Sequence, residues 1–497
     1  MNETHLAPEL PDSFEEIGKM AARSAHDIAD SPWSIGGETM DRDYTDFSQW
    51  RQYLAPLGAK KIRLQAGWAK CEREPGVYDF EWLDKIIDGV IASGVEPWLQ
   101  TSYNNPVYGG ERGLFSGMPQ SEEALLAWDR WVRTMARRYS GRVKIWEVWN
   151  EPDNHKGENI ADTYADLYIR TAEIIREEVP DATLYAGSLA FPGKPSFTDR
   201  FLSILRERDK LHLVDTITFH GYYFLPAQAY QAPYRLNDKE IVFSPLILHD
   251  VVRRYSSRIR IMQGEQGAPS VQGSSGALGG WEWTELRQAK WLLRRLLTDW
   301  GHGVESTYFG IIDMNYAGEF GSKINRKGLL HSNDDRSVSH VKPSYYAFQY
   351  LAALFDFTLQ PLMPYPHEVE SNRELSVYGF SHVLSGFQAI AIWQCDEWPT
   401  DSLDTRAVDF VFPAAKMNTP VLVDLRTGSV HRIPSDNIRR TGTRLELRGI
   451  PVYDSPVLIV ELSLLPLQGV DHARGEDSGV PDWVAQPPAG GGEDVPR

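Results

Sequence analysis

Cysteine is scarce in this chain of 497 residues: only Cys71 and Cys395 are present. Two distant thiols cannot build a disulfide framework, and neither sits in a metal-ligand spacing. Both read as buried thiols of a protein suited to a reducing compartment. Long apolar runs are missing too. Nothing approaches the roughly 18 residues that suggest a membrane span. The opening segment MNETHLAPELPDSFEEIG lacks the apolar stretch of a secretory leader. The expected location is therefore cytoplasmic, with secretion left open for a chain that has been trimmed. Basic residues are outnumbered, 51 Lys and Arg against 68 Asp and Glu, for a net charge of −17. Nucleic-acid binding rests on phosphate neutralisation by Lys and Arg, so this balance argues against a polyanion partner. It is compatible with a neutral ligand.

What is abundant is aromatic: 16 Trp and 22 Tyr. Such rings serve as sugar-stacking platforms or simply fill a large core, and composition alone favours the core. The length suits one large α/β barrel with a smaller companion domain.

From residue 31 to 357 short β-type runs alternate with amphipathic stretches. The runs are Trp33–Gly36, Lys61–Leu64, Glu96–Thr101, Val143–Trp149, Thr183–Gly187, Thr216–His220, Ile259–Gln263 and Thr307–Ile312. Several are nearly continuous apolar segments, the mark of parallel strands covered by helices. Helices are expected between them, including Ser48–Leu57, Ser121–Tyr139 and Trp283–Trp300. The first turn of Ser121–Tyr139 carries a cap and two acids. This alternation predicts an α/β fold, a (β/α)8 TIM barrel. A doubly wound sheet is the alternative, weakened because no Gly-rich phosphate loop follows the first strand. Residues 358–465 switch to short alternating runs separated by turn signals, predicting an antiparallel β-sandwich. Residues 1–30 read as an N-terminal extension, and 466–497 as a flexible, acidic tail rich in Gly and Pro.

The chemistry concentrates at two predicted strand ends. Ile145-Trp146-Glu147-Val148-Trp149-Asn150-Glu151-Pro152 closes the fourth strand, and Ile261-Met262-Gln263-Gly264-Glu265-Gln266-Gly267 closes the seventh. Barrel sites form at the C-terminal strand ends. Two carboxylates reaching in from opposite sides suit glycoside hydrolysis. One acid protonates the leaving oxygen and one ionised carboxylate attacks the anomeric carbon.

With these residues in place, the chain resembles the clan A retaining glycoside hydrolases, and within them most resembles glycoside hydrolase family 39, the β-xylosidase and α-L-iduronidase group. Supporting matches are Gly67-Trp68 with Glu74-Pro75-Gly76-Val77-Tyr78-Asp79, Phe219-His220-Gly221-Tyr222, and Lys342-Pro343-Ser344-Tyr345-Tyr346-Ala347-Phe348. The resemblance implies Glu151 as acid/base, Glu265 as nucleophile and Asn150 as the partner of the sugar 2-OH. The clan often ends strand eight with a Trp. Here the stretch reads Tyr308-Phe309-Gly310-Ile311-Ile312-Asp313-Met314-Asn315, and Asp313 stands where the aromatic is expected. Gln266-Gly267 replaces the Trp-Asn that more often follows the nucleophile in the xylosidases of family 39.

Further candidates carry two readings each. Arg63 steadies the Glu265 carboxylate, as the resemblance implies, or forms a barrel ion pair with Glu147. The resemblance implies that one of His220 and Tyr222 bonds the nucleophile or the sugar; the other reading of His220 is a satisfied core histidine. Trp68, Tyr103, Tyr223, Phe224, Trp281 and Trp283 fall near strand ends as sugar platforms or as core. The stretch 267–280 is a lid or a solvated connection. Asn104-Asn105-Pro106, Asn154-His155 and Asp334-Asp335 lie on loops that could meet hydroxyls. No metal and no cofactor are expected. The partner is a small-molecule carbohydrate, with no nucleic acid and no membrane, and a homo-oligomer is compatible. The expected activity is that of an exo-acting retaining glycosidase, β-xylosidase-like, on oligosaccharides or plant glycosides. An endo-acting glycanase, a transglycosylase and a catalytically inactive carbohydrate-binding barrel are the alternatives.

Overall fold

The computed structural model describes residues 7–111, 116–155, 159–192, 195–222, 245–316, 324–395 and 398–469, with the backbone of 234–236 and 239–241. Eight parallel strands close a barrel. They are β1 (Trp33–Gly36), β2 (Lys61–Gln65), β3 (Glu96–Thr101), β4 (Ile145–Val148), β5 (Thr183–Leu189), β6 (Thr216–His220), β7 (Arg260–Gln266) and β8 (Ser306–Tyr308). Each pairs with its neighbour in chain order, and β8 closes the ring on β1. β1, β2, β4 and β6 are buried along their whole length, as the apolar runs require.

Helices wrap the outside: α1 (Glu81–Ala92), α2 (Glu122–Tyr139), α3 (Ile160–Glu178), α4 (Pro195–Glu207), α5 (Pro245–Arg253), α6 (Glu285–Gly301) and α7 (Pro343–Leu354). In α2 the Ser121 side chain accepts from the Ala124 amide. Glu122 and Glu123 lie in its first turn, with Arg137 and Arg138 in its last, each complementing the helix dipole. Its inner stripe buries Trp128, Trp131 and Met135. The single helix expected over Ser48–Leu57 is instead two short helices, Phe47–Trp50 and Leu54–Leu57, joined by a 3-10 turn. Pro56 has no amide proton for a continuous ladder.

The C-terminal part is an antiparallel sandwich. A short hairpin of β9 (Leu330–Ser332) and β10 (Val338–Val341) precedes α7. Beyond it lie β11 (Leu359–Leu362), β12 (Glu368–Glu370), β13 (Leu375–His382), β14 (Gln388–Gln394), β15 (Arg406–Phe412), β16 (Pro420–Asp424), β17 (Ser429–Arg432), β18 (Ile438–Thr441), β19 (Arg444–Val452) and β20 (Val457–Glu461). One sheet runs β17-β16-β20-β14-β13-β11 and the other β12-β15-β19-β18. A separate apolar core, with Ile390, Phe410, Leu422, Leu447 and Ile459, fills the space between them.

The N-terminal segment takes a part that its composition does not announce. Glu16–Lys19 pairs with β17 and completes the larger sheet at its edge. Residues 470–497, read as a flexible tail, lie outside the described residues. Both cysteines are buried and stand outside any disulfide, as expected. Among the described residues no helix is long and apolar enough to cross a membrane.

Candidate active site

Glu151 stands where β4 gives way to a loop. Trp149 and Glu151 take left-handed backbone angles, φ 66° and 50°, and Ser188 on β5 does the same at 46°. Such residues cost on the order of 1–3 kcal/mol each and persist only where their surroundings hold them. Here the Glu151 amide donates to the Ser188 carbonyl at 3.0 Å. Asp153 accepts from the amides of Ala190 and Phe191 at 2.8 Å each, locking the β4 and β5 ends together. Burial pushes the Asp153 carboxyl up to about 6.

Glu265 is the penultimate residue of β7, where the pairing with β6 shifts register between Gln263 and Glu265. Such an irregularity re-aims a strand's side chains. Two residues on, a Cβ at Gly267 would lie 2.3 Å from the Phe309 carbonyl oxygen. Only glycine lets the end of β7 run this close to the end of β8.

Arg63 on β2 connects the site from below. Its Nε donates to Glu147 Oε2 at 2.8 Å, and Nη1 to Glu38 Oε1 at 3.0 Å and Glu265 Oε2 at 2.9 Å. Nη2 donates to Asn150 Oδ1 at 2.9 Å and Ser188 Oγ at 2.8 Å. All five guanidinium donors are used, and the side chain is 0% exposed. The two readings of Arg63 are therefore both realised: it pairs with Glu147 and with Glu265.

His220 at the end of β6 spans the two carboxylates. Its Nδ1 is 2.8 Å from Glu151 Oε1 and 3.5 Å from Glu265 Oε2, while Nε2 meets Ser188 Oγ at 3.0 Å. Tyr222 donates its hydroxyl to Glu265 Oε1 at 2.6 Å. Burial works against the His220 cation, but Glu265 and Glu151 together outweigh it and hold its pKa above the ordinary value. Burial likewise opposes the Glu265 anion. His220, Arg63 and Tyr222 overcome that and hold its carboxyl below the ordinary value. One oxygen of Glu151, one oxygen of Glu265 and a His220 nitrogen all lie within 4.8 Å of one another. That spacing could also hold a cation, but Arg63 already pairs with Glu265 there and His220 bridges the two carboxylates.

Glu38, two residues beyond β1, is a further carboxylate of the site, and the motif reading passed over it. Burial pushes it up to about 7, Arg63 pulling down and Glu265 pushing up. Its Oε2 is buried without a hydrogen-bond partner. The available signal was position: it ends a barrel strand just as Glu151 and Glu265 do, without flanking residues to mark it. Lys327 was missed as well. Its Nζ lies 5.8 Å from the Tyr222 ring centroid, and burial pushes it down to about 7.

Several expected sugar contacts need correction. Trp68 is buried, stacked on Tyr108 and Trp131, with its indole N–H donating to Glu72. It is core and has no face for a sugar. Tyr103 is only 3% exposed; Gln65 donates to its hydroxyl and the Arg42 guanidinium covers its ring. Asp313 is fully buried and accepts from Lys342 at 2.6 Å and Arg326 at 3.1 Å, so it is a structural ion-pair centre. Because β8 stops at Tyr308, the aromatic just beyond the end of strand eight is Phe309, which packs with Tyr44 and Met314. Trp281 is 40% exposed and stacks on Trp398 of the C-terminal part, 4.6 Å between centroids. Trp283 is buried beside it.

The loop candidates divide. Asn154 donates to Glu151 Oε2 at 3.2 Å, and His155 accepts from Trp149. Asn104 and Asn105 hold their own loop and the neighbouring Gly117 and Glu72 carbonyls. Asp335 accepts from the Ser337 amide and hydroxyl in an exposed turn. The connection after Glu265 is fastened to residues 324–328: Ser270 donates to the Arg326 carbonyl, and Lys327 donates to the Ser275 carbonyl. Tyr223 and Phe224 lie outside the described residues.

The molecule is thus a (β/α)8 barrel with a buried carboxylate cluster at its C-terminal strand ends and a β-sandwich behind it. Residues 64–241 match the model of the glycosyl hydrolases family 39, the family that the residues themselves pointed to. A solved family 39 glycoside hydrolase from Bacteroides cellulosilyticus WH2 superimposes with TM-score 0.61 at 17% identity, covering 92% of this chain and 83% of that one. A monomeric beta-xylosidase from Caulobacter crescentus CB15 gives TM-score 0.53 at 17% identity, covering 89% and 98%. Likeness at this identity establishes the fold. Among curated proteins, beta-galactosidase BgaB of a Geobacillus species is 30% identical over 104 residues, covering 17% of this chain. The match spans 16% of that relative's own length.

Proposed function

We propose that the chain is a retaining glycoside hydrolase in which Glu265 is the nucleophile and Glu151 the acid/base. The observation that carries this reading is the closeness of the two carboxylates, one oxygen of each lying within 4.8 Å of the other with His220 reaching both. Retaining enzymes keep their carboxyls about 5–5.5 Å apart, whereas inverting ones need roughly 6.5–9.5 Å to admit a water. Their environments also differ. Glu265 is held ionised by Arg63, Tyr222 and His220, as a nucleophile must be. Glu151 sees none of Arg63's donors and has His220 and Asn154 as partners.

In the first step Glu265 attacks the anomeric carbon while Glu151 protonates the departing oxygen. In the second Glu151 takes a proton from water, which attacks the same carbon and releases Glu265. Arg63 holds Asn150 by its amide oxygen, which leaves Nδ2 as the donor to a sugar hydroxyl. The finer reading is exo action on short oligosaccharides or plant glycosides, β-xylosidase-like. It is supported by the family match and by the likeness to the beta-xylosidase of Caulobacter crescentus.

The test is trapping. Incubation with aryl 2-deoxy-2-fluoroglycosides of several sugars, followed by peptide mass spectrometry, is expected to place the label on Glu265. Labelling of another carboxylate, or none from any sugar alongside measurable turnover, would overturn the assignment.

A further inference from the structure

A second constellation of ligating side chains lies apart from the carboxylate site and shares no residue with it. β9 and β10 form an antiparallel hairpin in which His331 and His340 are direct cross-strand partners. Their rings face the same side, 4.6 Å between centroids. The first residue of α6, Glu285, reaches this pair. Its Oε1 is 2.7 Å from His340 Nε2 and 3.8 Å from His331 Nδ1. One ligand atom from each of the three lies within 4.8 Å of the others.

His331 makes this more than a surface ion pair. Its Nδ1 is a buried atom with no hydrogen-bond partner, so a nitrogen that would ordinarily be satisfied is left aimed at the cluster. We propose that Glu285, His331 and His340 form a binding site for one divalent transition-metal ion of the zinc class. Two imidazoles and one carboxylate are the donor set that suits such an ion, and His340, the most exposed of the three, gives the cluster access to solvent. The positive end of α6 opposes a cation in its first turn, and Glu285 supplies the compensating charge there.

The site joins elements that flank the mouth of the barrel. α6 follows the connection that starts at Glu265, and the β9–β10 hairpin follows the segment holding Arg326 and Lys327. A bound ion would clamp these two together.

The experiment is calorimetric titration of Zn2+ into the full chain after chelator treatment, repeated on His331→Ala, His340→Gln and Glu265→Gln. The expected result is one Zn2+ bound by the wild type and by Glu265→Gln. Each histidine variant should weaken binding by more than about tenfold, a loss that even the outer partners of a metal site can cause. Circular dichroism checks that each variant folds. Co2+ in place of Zn2+ should give visible d–d absorption that disappears with His340→Gln. Unchanged affinity in both histidine variants, or no binding by the wild type, overturns the proposal and leaves an ion pair. Loss of binding only in Glu265→Gln would place the ion in the carboxylate site and overturn it equally.

Discussion

Arg63 Nη1 donates to Glu265 Oε2 at 2.9 Å from a guanidinium with no exposed surface. The same group holds Glu147, Glu38, Asn150 and Ser188, so the position of the Glu265 carboxylate is set by a donor that cannot turn elsewhere. Lysine offers three donors from one point, against five in a planar fork. Arg63→Lys should therefore keep the charge but lose the geometry. The expected outcome is a fall in kcat/KM of at least about tenfold, the equivalent of one charge-assisted hydrogen bond. Steady-state kinetics on an aryl glycoside, with circular dichroism for folding, checks it.

The two carboxylates should fail in different ways. In the proposed mechanism Glu265→Ala removes the group that forms the covalent intermediate, and the rate should fall more than about 10³-fold. Glu151→Ala leaves that step possible for substrates with good leaving groups. Added azide should then restore turnover and give a glycosyl azide of retained configuration. Rescue of Glu265→Ala instead, with the same stereochemistry, would reverse the roles.

Glu38 should make stability depend on pH in a direction opposite to most carboxylates. Its pKa rises from an ordinary 4.5 to about 7 on folding, chiefly through burial. Between those values the folded state holds a proton that the unfolded state has released. The group therefore favours folding below pH 4.5 and loses that contribution as pH rises through 7. The loss is on the order of 3 kcal/mol. In Glu38→Gln it should vanish, so urea unfolding should show the variant gaining on wild type between pH 5 and pH 8. An equal difference at both pH values would contradict this.

Asp313 should matter for stability and not for substrate. It faces Lys342 with both side chains fully buried. Asp313→Asn leaves the Lys342 charge uncompensated, at a cost of about 3–5 kcal/mol. Chemical denaturation should register that loss. KM for the surviving folded enzyme should stay within about twofold, because no substrate contact is removed.

The barrel was legible because its strands are short apolar runs at regular spacing and its helices carry caps. Glu151 and Glu265 were legible because each closes such a run next to residues with few ordinary uses, Trp149-Asn150 and Gly264. Glu38 occupies the same kind of place after β1 with no such company. Asp313 was misplaced by a boundary: β8 ends at Tyr308, four residues before the apolar run does, and Ile312 goes on to bridge Leu330. Trp68 was misjudged because proximity to a strand end says nothing about which way a ring turns. The helix Trp68–Cys71 turns it into a stack against α2. The edge strand Glu16–Lys19 was invisible, since its partner lies more than 400 residues away in the chain. The aromatic excess has its answer in the core: ten of the 16 tryptophans are among the largest fully buried side chains, so composition pointed the right way for most of them.

The central claim is that Glu265 and Glu151 stand at the separation of a double-displacement enzyme. Proton NMR of the first sugar released from an aryl β-glycoside tests it directly, before mutarotation scrambles the product. The account predicts that the β-anomer appears first. Initial release of the α-anomer would mean a single displacement by water and would contradict it.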